Sequence, residues 1–239
     1  MNTWRAGCGG SRTSGSEGGP EKPTSRKADR ALRSDPYTKL RSTTRGKYFE
    51  LYVIIDIYSR FVVGWTVDER ETGELAKEFI RDTYRRHNIR RGELTLHADR
   101  GTSMTSQPVA QLLVNLGVDR SHSRPHVSND NPFSEAMFKT LTYCPAFPTN
   151  FGSVQDARVF CETSFEYYNY QHYHSGIALH TPATVHYGKV RDAQKARAAV
   201  LDAAWAEHPE RFSRKPKPLQ MPTEAWINEP SREALIRTA

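Results

Sequence analysis

Two β-rich runs, placed one directly after the other, constrain the fold of this chain more than any other feature of its sequence. YFELYVIIDIYSR begins at Tyr48, and FVVGWTV follows it after one tight connection. Runs rich in Val, Ile, Tyr and Phe that are joined by so short a connection predict a β-hairpin. Short apolar runs then alternate with helical patterns, which is typical of a mixed α/β fold.

Helical periodicity predicts five helices beyond the hairpin. Their capping or first residues are Gly73, Ser106, Asn131, Ser153 and about residue 190. Gly117 is expected to end the second of these helices. A short strand over 94–98 stops directly before Asp99, and another lies near Val118. This order predicts a central mixed sheet whose first strands are antiparallel and whose later strands are joined by helices.

The composition narrows the class of partner. The chain has 239 residues, enough for one domain with extensions, and a formal net charge of +7. This charge favours a polyanionic partner, nucleic acid first, although a basic protein with a solvated surface would show it too. No apolar run approaches the roughly 18 residues of a membrane span, and no signal-peptide core is present. Cys8, Cys144 and Cys161 are scattered, which fits a reducing cytosol better than a disulfide framework or a zinc finger.

Three segments are expected along the chain. Residues 1–36 are rich in Gly, Ser and charge and have few apolar side chains, so we predict disorder there. Residues 37–190 hold the predicted α/β core. Residues 191–239 begin with an Ala-rich helix and continue as a basic tail, which we expect to be extended and weakly ordered.

Asp99 and Glu135, with 35 residues between them, are the candidate catalytic residues. Asp99 follows an apolar strand, and α/β folds place functional groups at the carboxyl ends of strands. Glu135 lies in the first turn of a predicted helix. Two convergent carboxylates that hold a divalent metal suit phosphoryl transfer on a nucleic acid. Each also has a purely structural interpretation, as a turn Asp that bonds its own backbone and as a Glu that complements the helix dipole.

Other polar and aromatic groups leave alternatives open. Lys139 falls four residues after Glu135 on the same helical face, so it either contacts a phosphate or forms an intrahelical pair with Glu135. His172 and His174 have no further well-spaced ligand, which favours solvent-facing or phosphate-contacting histidines over zinc. Four tyrosines nearby more often pack in a core than stack on bases: Tyr167, Tyr168, Tyr170 and Tyr173.

Several longer phrases, in a fixed order, carry a resemblance to a known family. They are LYVIIDIYSRFVVGW, LTLHADRGTSMTS, SRPHVSNDNPFSEAMFKTL, YYNYQHYHSGIALHTPA and HYG. Over about residues 38–190 the chain resembles the catalytic domain of bacterial insertion-sequence transposases related to retroviral integrases. The resemblance implies an RNase H-like fold, a DDE triad that binds two Mg²⁺ or Mn²⁺ ions, and DNA (transposon ends and target) as substrate. It also implies a homo-oligomer in the cytoplasm, associated with the nucleoid, without a membrane or a small-molecule cofactor.

The resemblance assigns roles residue by residue. Asp99 in HADRG matches the second acid of the triad, and Glu135 in SEAMFKTL matches the third. Lys139 matches a basic residue near the DNA cut. Asp56 matches a position that is often acidic in the family but is not catalytic. The further candidate DNA-binding residues are Arg100, Arg124 and Asn131.

The first acid departs from the family pattern. It is expected in a phrase similar to W-x-W-D-I-T-K-L, whereas the chain reads RSDPYTKL. Aligning Thr38-Lys39-Leu40 puts Pro36 where the Asp should be and Asp35 one residue early. A slip of one residue reverses the face of a strand, and Pro36 removes a ladder donor. Asp35 could still reach the metals from a strand entrance or a bulge, and it is the candidate third ligand.

The sequence therefore predicts a polynucleotidyl transferase that cleaves and joins DNA strands with divalent metal. The alternative is a truncated, catalytically inactive remnant that still binds DNA or self-associates. The Gly/Ser/Arg-rich beginning suggests that the N-terminus is out of frame or a remnant. A third possibility is an RNA-directed nuclease on the same fold, which is less favoured because the phrases are similar to those of transposases.

Overall fold

The computed structural model describes residues 29–32, 39–98, 101–124 and 130–227, and for residues 29–32 it gives the backbone alone. The described strands form one mixed six-stranded sheet. They are β1 (Asp29–Leu32), β2 (Lys39–Arg41), β3 (Tyr48–Asp56), β4 (Val62–Asp68), β5 (Thr95–Ala98) and β6 (Asp119–His122).

The long strand β3 organises the sheet. β4 pairs antiparallel with one edge of β3, which confirms the predicted hairpin. β1 and β2 both pair antiparallel with its other edge. Beyond β1 the sheet continues with β5 and β6, each parallel to its neighbour. The predicted mixed sheet is confirmed, because its first strands are antiparallel and its last two are joined through a helix.

Six α-helices complete the described part of the chain. They are α1 (Gly73–Arg86), α2 (Gln107–Leu116), α3 (Pro132–Thr142), α4 (Val154–Tyr170), α5 (Pro182–His186) and α6 (Val190–Glu207). The five predicted helices are confirmed. The short α5 was not predicted, since five residues hold too little periodicity to be recognised. Its cap is Thr181, whose hydroxyl accepts a hydrogen bond from the backbone N–H of Thr184 at 3.3 Å.

The predicted helix ends are only partly correct. Ser153 caps α4 by accepting from the backbone N–H of Asp156 at 3.1 Å, and Gly117 ends α2 in the left-handed region with φ 64°. Ser106 and Asn131 stand at cap positions without capping through their side chains. The Ser106 hydroxyl donates instead to the carbonyl of Ser103 at 2.6 Å. A cap residue can thus be recognised from sequence while its hydrogen bond cannot.

Strand alternation divides the core into two layers. Along β3, Tyr52 and Ile54 face the apolar cluster formed with α1 and α2. Leu51, Val53 and Ile55 face the opposite cluster, formed with α3 and α4. Because successive side chains of a strand point to opposite faces, one apolar strand can support helices on both sides of the sheet.

Strand β1 corrects the expectation of disorder at the N-terminus. Asp29–Leu32 lie in the sheet between β3 and β5, so the prediction is wrong for these four residues. The backbone of this short strand is paired on both of its edges. The rest of the segment 1–36 lies outside the described residues, and the boundary at residues 36 and 37 stays a prediction.

The C-terminal tail also differs from the expectation of weak order. It is described as far as Ile227, and Ala225 and Ile227 are buried at 7% and 6% exposure. They pack with Ile57 at the end of the β3 strand. Tertiary burial of two apolar side chains thus holds a segment that has no helix or strand pattern of its own.

Candidate active site

The predicted site residues divide into two groups. Asp35, Asp99 and Arg100 lie outside the described residues. Four others are described: Arg124, Asn131, Glu135 and Lys139. Ala98, the residue directly before Asp99, is the last residue of β5 and is 1% exposed. Since consecutive Cα atoms are about 3.8 Å apart, the position of Ala98 limits where Asp99 can begin.

A series of short contacts ties the start of α3 to the carboxyl end of β5. The carbonyl of Ala98 accepts a hydrogen bond from the backbone N–H of Ser123 at 3.1 Å. The next residue, Arg124, holds Asp130 through its backbone N–H at 2.7 Å and its guanidinium at 3.0 and 2.8 Å. Helix α3 begins two residues after Asp130. The end of β5 and the beginning of α3 are therefore anchored at the same edge of the sheet.

Glu135 lies in the first turn of α3 and is partly exposed. Helix α3 also contacts β1, whose last residue, Leu32, pairs with Ala98. Helix α3 and the end of β5 thus both lie against β1, and the convergence of the Asp99 and Glu135 carboxylates stays a prediction.

Lys139 is exposed on α3. The intrahelical pair with Glu135, one of the two alternatives for this residue, is not among the ion pairs of the described side chains. The phosphate contact of Lys139 stays a prediction.

Arg124 and Asn131 are more deeply involved in the fold than a surface DNA contact requires. The Arg124 side chain is 55% exposed, but its guanidinium grips Asp130, whose side chain is 1% exposed. Asn131 is 4% exposed, and both of its side-chain polar atoms lack a hydrogen-bond partner. A contact between Asn131 and DNA would need the start of α3 to open. The two DNA-binding assignments stay predictions.

His97 was missed from the sequence, although it lies two residues before Asp99. It is 2% exposed, and its ring bridges β5 to β6. The Nδ1 atom lies 2.6 Å from the hydroxyl of Ser121, and the Nε2 atom lies 3.3 Å from the hydroxyl of Ser123. The available signal was the spacing of the two serines, which puts both on one face of a strand. His97 fixes the strand end that leads into Asp99.

The register of the sheet bears on the first acid. β1 and β2 share one edge of β3, with Leu32 opposite Ile54 and Lys39 opposite Glu50. Leu32 and Lys39 are seven positions apart, whereas their partners Ile54 and Glu50 are four positions apart. The segment that joins β1 to β2 therefore has three residues more than a continuous ladder would need. An uninterrupted antiparallel ladder allows no surplus.

Asp56, the last residue of β3, belongs to a buried polar cluster. Its carboxylate accepts from the backbone N–H of Tyr58 at 3.0 Å and lies 3.2 Å from Nδ1 of His186. The hydroxyl of Ser59 is 3.3 Å from the same Nδ1 atom. A nucleophilic Ser-His-Asp relay needs the two partners on different ring nitrogens. The cluster joins α5 to the turn of the hairpin, and the non-catalytic assignment of Asp56 stays a prediction.

The histidines after α4 are partly buried, which corrects the expectation that they face solvent. The rings of His172 and His174 are 4.4 Å apart between centroids. Burial first, then the nearby His172 and Arg60, lowers the pKa of His174 to about 4, so this ring is neutral at pH 7. No group of three or more potential metal-ligating side chains occurs among the described residues.

The four tyrosines nearby do not form one core group. Tyr168 is buried at 6% exposure, as predicted. The other three are half or more exposed: Tyr167, Tyr170 and Tyr173. Core packing is therefore correct for one of the four: α4 turns Tyr168 inward and Tyr167 and Tyr170 outward, and Tyr173 lies beyond the helix.

Two family models of the integrase core domain match the chain, one over residues 27–128 and the other over residues 116–182. Together they span the sheet and helices α1 to α4, with the described parts of the site. The chain belongs to the integrase core family. It is a transposase/integrase catalytic domain of the DDE type, as the sequence phrases predicted.

A curated relative of this integrase core domain is the transposase for insertion sequence element IS904 from Lactococcus lactis subsp. lactis (strain IL1403). The two are 30% identical over 136 residues, which is 55% of this chain and 52% of the relative. The chain thus spans about half the length of that protein.

The fold of the integrase core is also found among solved structures. The catalytic core domain of BIV integrase aligns with a TM-score of 0.50 at 18% identity, over 71% of this chain and 99% of that one. At this identity the likeness concerns the fold, and it confirms the predicted fold class. Within the part of the chain that the structure describes, none of the helices has the length and apolar character needed to cross a membrane.

Proposed function

We propose that this chain cleaves DNA strands and joins them to target DNA, in a reaction that depends on Mg²⁺ or Mn²⁺. The observation that carries the proposal is the anchoring of α3 to the end of β5 through Ser123, Arg124 and Asp130. This anchoring brings the end of β5, which precedes Asp99, and the start of α3, which carries Glu135, to one edge of the sheet. Membership of the integrase core family suggests that the chemistry at this edge is DNA strand cleavage and joining.

The donor set suits a hard divalent cation. Glu135 supplies carboxylate oxygens from the partly exposed first turn of α3, and Asp99 would supply the second carboxylate. Asp35 is the third proposed ligand. Divalent ions, two when the site is complete, would supply activation of the attacking oxygen and neutralisation of charge on the leaving oxygen.

The side chains of this chain have separate tasks in the proposed reaction. The Asp99 and Glu135 carboxylates would bind the divalent metal and so position the reaction centre. The exposed Lys139 would bind a DNA phosphate one helical turn away from Glu135. Arg100 would contribute a further cation beside Asp99. We also propose action as a homo-oligomer on transposon ends and target DNA, in the cytoplasm and at the nucleoid.

A second candidate is a catalytically inactive remnant that still binds DNA. The specific observation in its favour is that β1 and β2 pair with β3 in registers that differ by three residues. A site with only Asp99 and Glu135 would bind divalent metal less tightly, since one carboxylate ligand is missing.

Nicking and joining of duplex DNA in Mn²⁺ and in Mg²⁺ test the proposal. We expect Glu135→Gln and Asp99→Asn each to reduce both reactions at least a hundredfold without lowering the melting temperature, because each removes a metal ligand. Glu162→Gln, which changes an exposed acid on α4, is the matched control and should retain activity.

The variant Asp35→Asn separates the two candidates. Loss of activity in this variant would support a complete three-acid site. An inactive wild-type protein that binds duplex DNA would support the remnant, whereas full activity in Asp99→Asn would contradict the site assignment. Preferential cleavage of RNA–DNA hybrids would favour the RNA-directed nuclease.

A further inference from the structure

The segment that follows α6, residues 211–227, is a C-terminal strap that lies beyond both family matches, which end at residue 182. It has no regular secondary structure after the 3₁₀ turn Pro209–Arg211. Its first half runs back along α6. Phe212 packs on Trp205 with 5.8 Å between ring centroids, and Lys215 Nζ lies 2.8 Å from Asp202 Oδ1.

The second half of the strap reaches the catalytic helix. The amide of Gln194 donates to the carbonyl of Leu219 at 3.0 Å, and the hydroxyl of Tyr58 donates to the carbonyl of Pro222 at 3.1 Å. Ala225 and Ile227 are then buried against Ile57, with Phe133 packed on the same cluster.

Phe133 connects the strap to the proposed reaction centre. It lies in the first turn of α3, two residues before Glu135, which is about 3 Å along the helix axis. The guanidinium of Arg60 stacks over the Phe133 ring at 3.8 Å and holds it from the other element, the hairpin turn. The end of the strap is thus fixed next to the helix that carries Glu135.

The strap carries positive charge that the fold does not use. Arg211, Arg214 and Lys217 are exposed, and none of them takes part in an ion pair with another described residue. Lys215 does pair with Asp202, but both side chains are more than half exposed. No Asp or Glu occurs from Arg211 to Thr223. The usual explanation of such a run is a solvated surface, but a solvated tail has no need of anchors along its length.

Two prolines reduce the conformational entropy that the strap would lose when its basic residues bind a ligand. Pro216 and Pro218 alternate with the basic residues in RKPKP, and each limits the backbone of the residue before it to extended conformations. An arm that is already extended and anchored loses little conformational entropy when it binds a ligand. Evenly spaced cations on such an arm suit a repeating row of phosphates.

We propose that the C-terminal strap binds the backbone phosphates of the duplex DNA whose strand is cut at the Asp99–Glu135 site. The proposal rests on the proposed function for its ligand, and it assigns to the strap a contact that neither matched family region contains. Because phosphate contacts carry no base information, this contact contributes affinity and direction rather than sequence preference.

The test measures binding of the full chain to a duplex of unrelated sequence, without metal, over a range of salt concentrations. For Arg214→Gln/Lys217→Gln we expect the slope of log affinity against log salt to fall by about two, since each phosphate contact contributes about 0.9. The melting temperature should be unchanged. The matched control is Arg85→Gln/Arg86→Gln, which removes two exposed cations at the end of α1, and its slope should change by less than half a unit.

Three outcomes would overturn the strap proposal. The first is an unchanged slope in the strap variant, and the second is an equal change of slope in both double variants. The third is that the wild-type protein prefers a structured RNA to DNA and that the strap variant loses equal affinity for both. Failure of the proposed function looks different. Salt-dependent DNA binding through the strap without nicking by the wild-type protein would leave the strap assignment standing. Nicking that the strap variant retains at wild-type DNA affinity would leave the proposed function standing.

Discussion

At the scale of single residues, the contact between Arg124 and Asp130 is the most consequential one at the site. It is a two-pronged ion pair with an added backbone hydrogen bond, and its carboxylate partner is fully buried. Such a pair is costly to break because one charge is left without compensation. The pair closes the loop that leads into α3, so the position of Glu135 depends on it.

The first prediction concerns this pair. Arg124→Ala should lower the free energy of unfolding by about 3 kcal/mol, because it leaves the Asp130 carboxylate buried without its main partner. Chemical denaturation measures the change. Arg120→Ala, at an exposed position of β6, is the control and should stay within about 0.5 kcal/mol of wild type. A change below about 1 kcal/mol for Arg124→Ala would contradict the importance given to the pair.

At the scale of elements, the fold depends on side-chain contacts that hold short segments against the hairpin. Helix α5 has five residues, too few to be stable alone. It is held by His186, whose ring contacts Asp56 and stacks on Phe61 with 4.4 Å between ring centroids. The strap is held in the same manner by Ala225 and Ile227.

The second prediction tests the contact between His186 of α5 and Asp56. His186→Phe keeps an aromatic ring against Phe61 but removes the hydrogen bond to the buried Asp56, and we expect a loss of about 2 kcal/mol. The double variant His186→Phe/Asp56→Leu should recover part of this loss, because the buried carboxylate is then gone. Thermal and urea unfolding measure both values. A double variant that is no more stable than His186→Phe would show that packing, rather than the carboxylate, dominates.

At the scale of the whole molecule, three histidines near one another make stability depend on pH. Burial lowers the pKa of His172, His174 and His180, that of His174 from 6.5 to about 4. Between pH 6.5 and pH 4 the unfolded chain binds more protons at these sites than the folded chain does. The free energy of unfolding therefore falls as the pH falls through this range.

The third prediction gives this dependence a size and a control. Acidification from pH 7 to pH 4.5 should cost roughly 1–2 kcal/mol through His174 alone, since this ring is partly exposed and the effect is screened by solvent. His174→Gln should flatten the curve of unfolding free energy against pH by that amount. Gln155→Ala, at an exposed position of α4 without an ionisable group, should not. Identical pH curves for His174→Gln and wild type would contradict the prediction.

The sequence by itself determined the elements and the family. The strand alternation of β3 and the helical periodicities depend on neighbouring residues, so they can be recognised without the fold. The same holds for the phrases around Asp99 and Glu135, which identify the chemistry because each is a continuous stretch of chain. The spacing of Lys139 after Glu135 is likewise a local, helical relation.

Only the tertiary structure decided how these pieces are joined. Arg124 with Asp130, His97 with Ser121 and Ser123, and Phe133 with the strap are contacts without a period in sequence. The ordering of β1 and of the tail was missed for the same reason. The tail has no helix or strand pattern of its own, and the free energy that orders it comes from its contacts with Ile57 and Phe133 elsewhere in the chain.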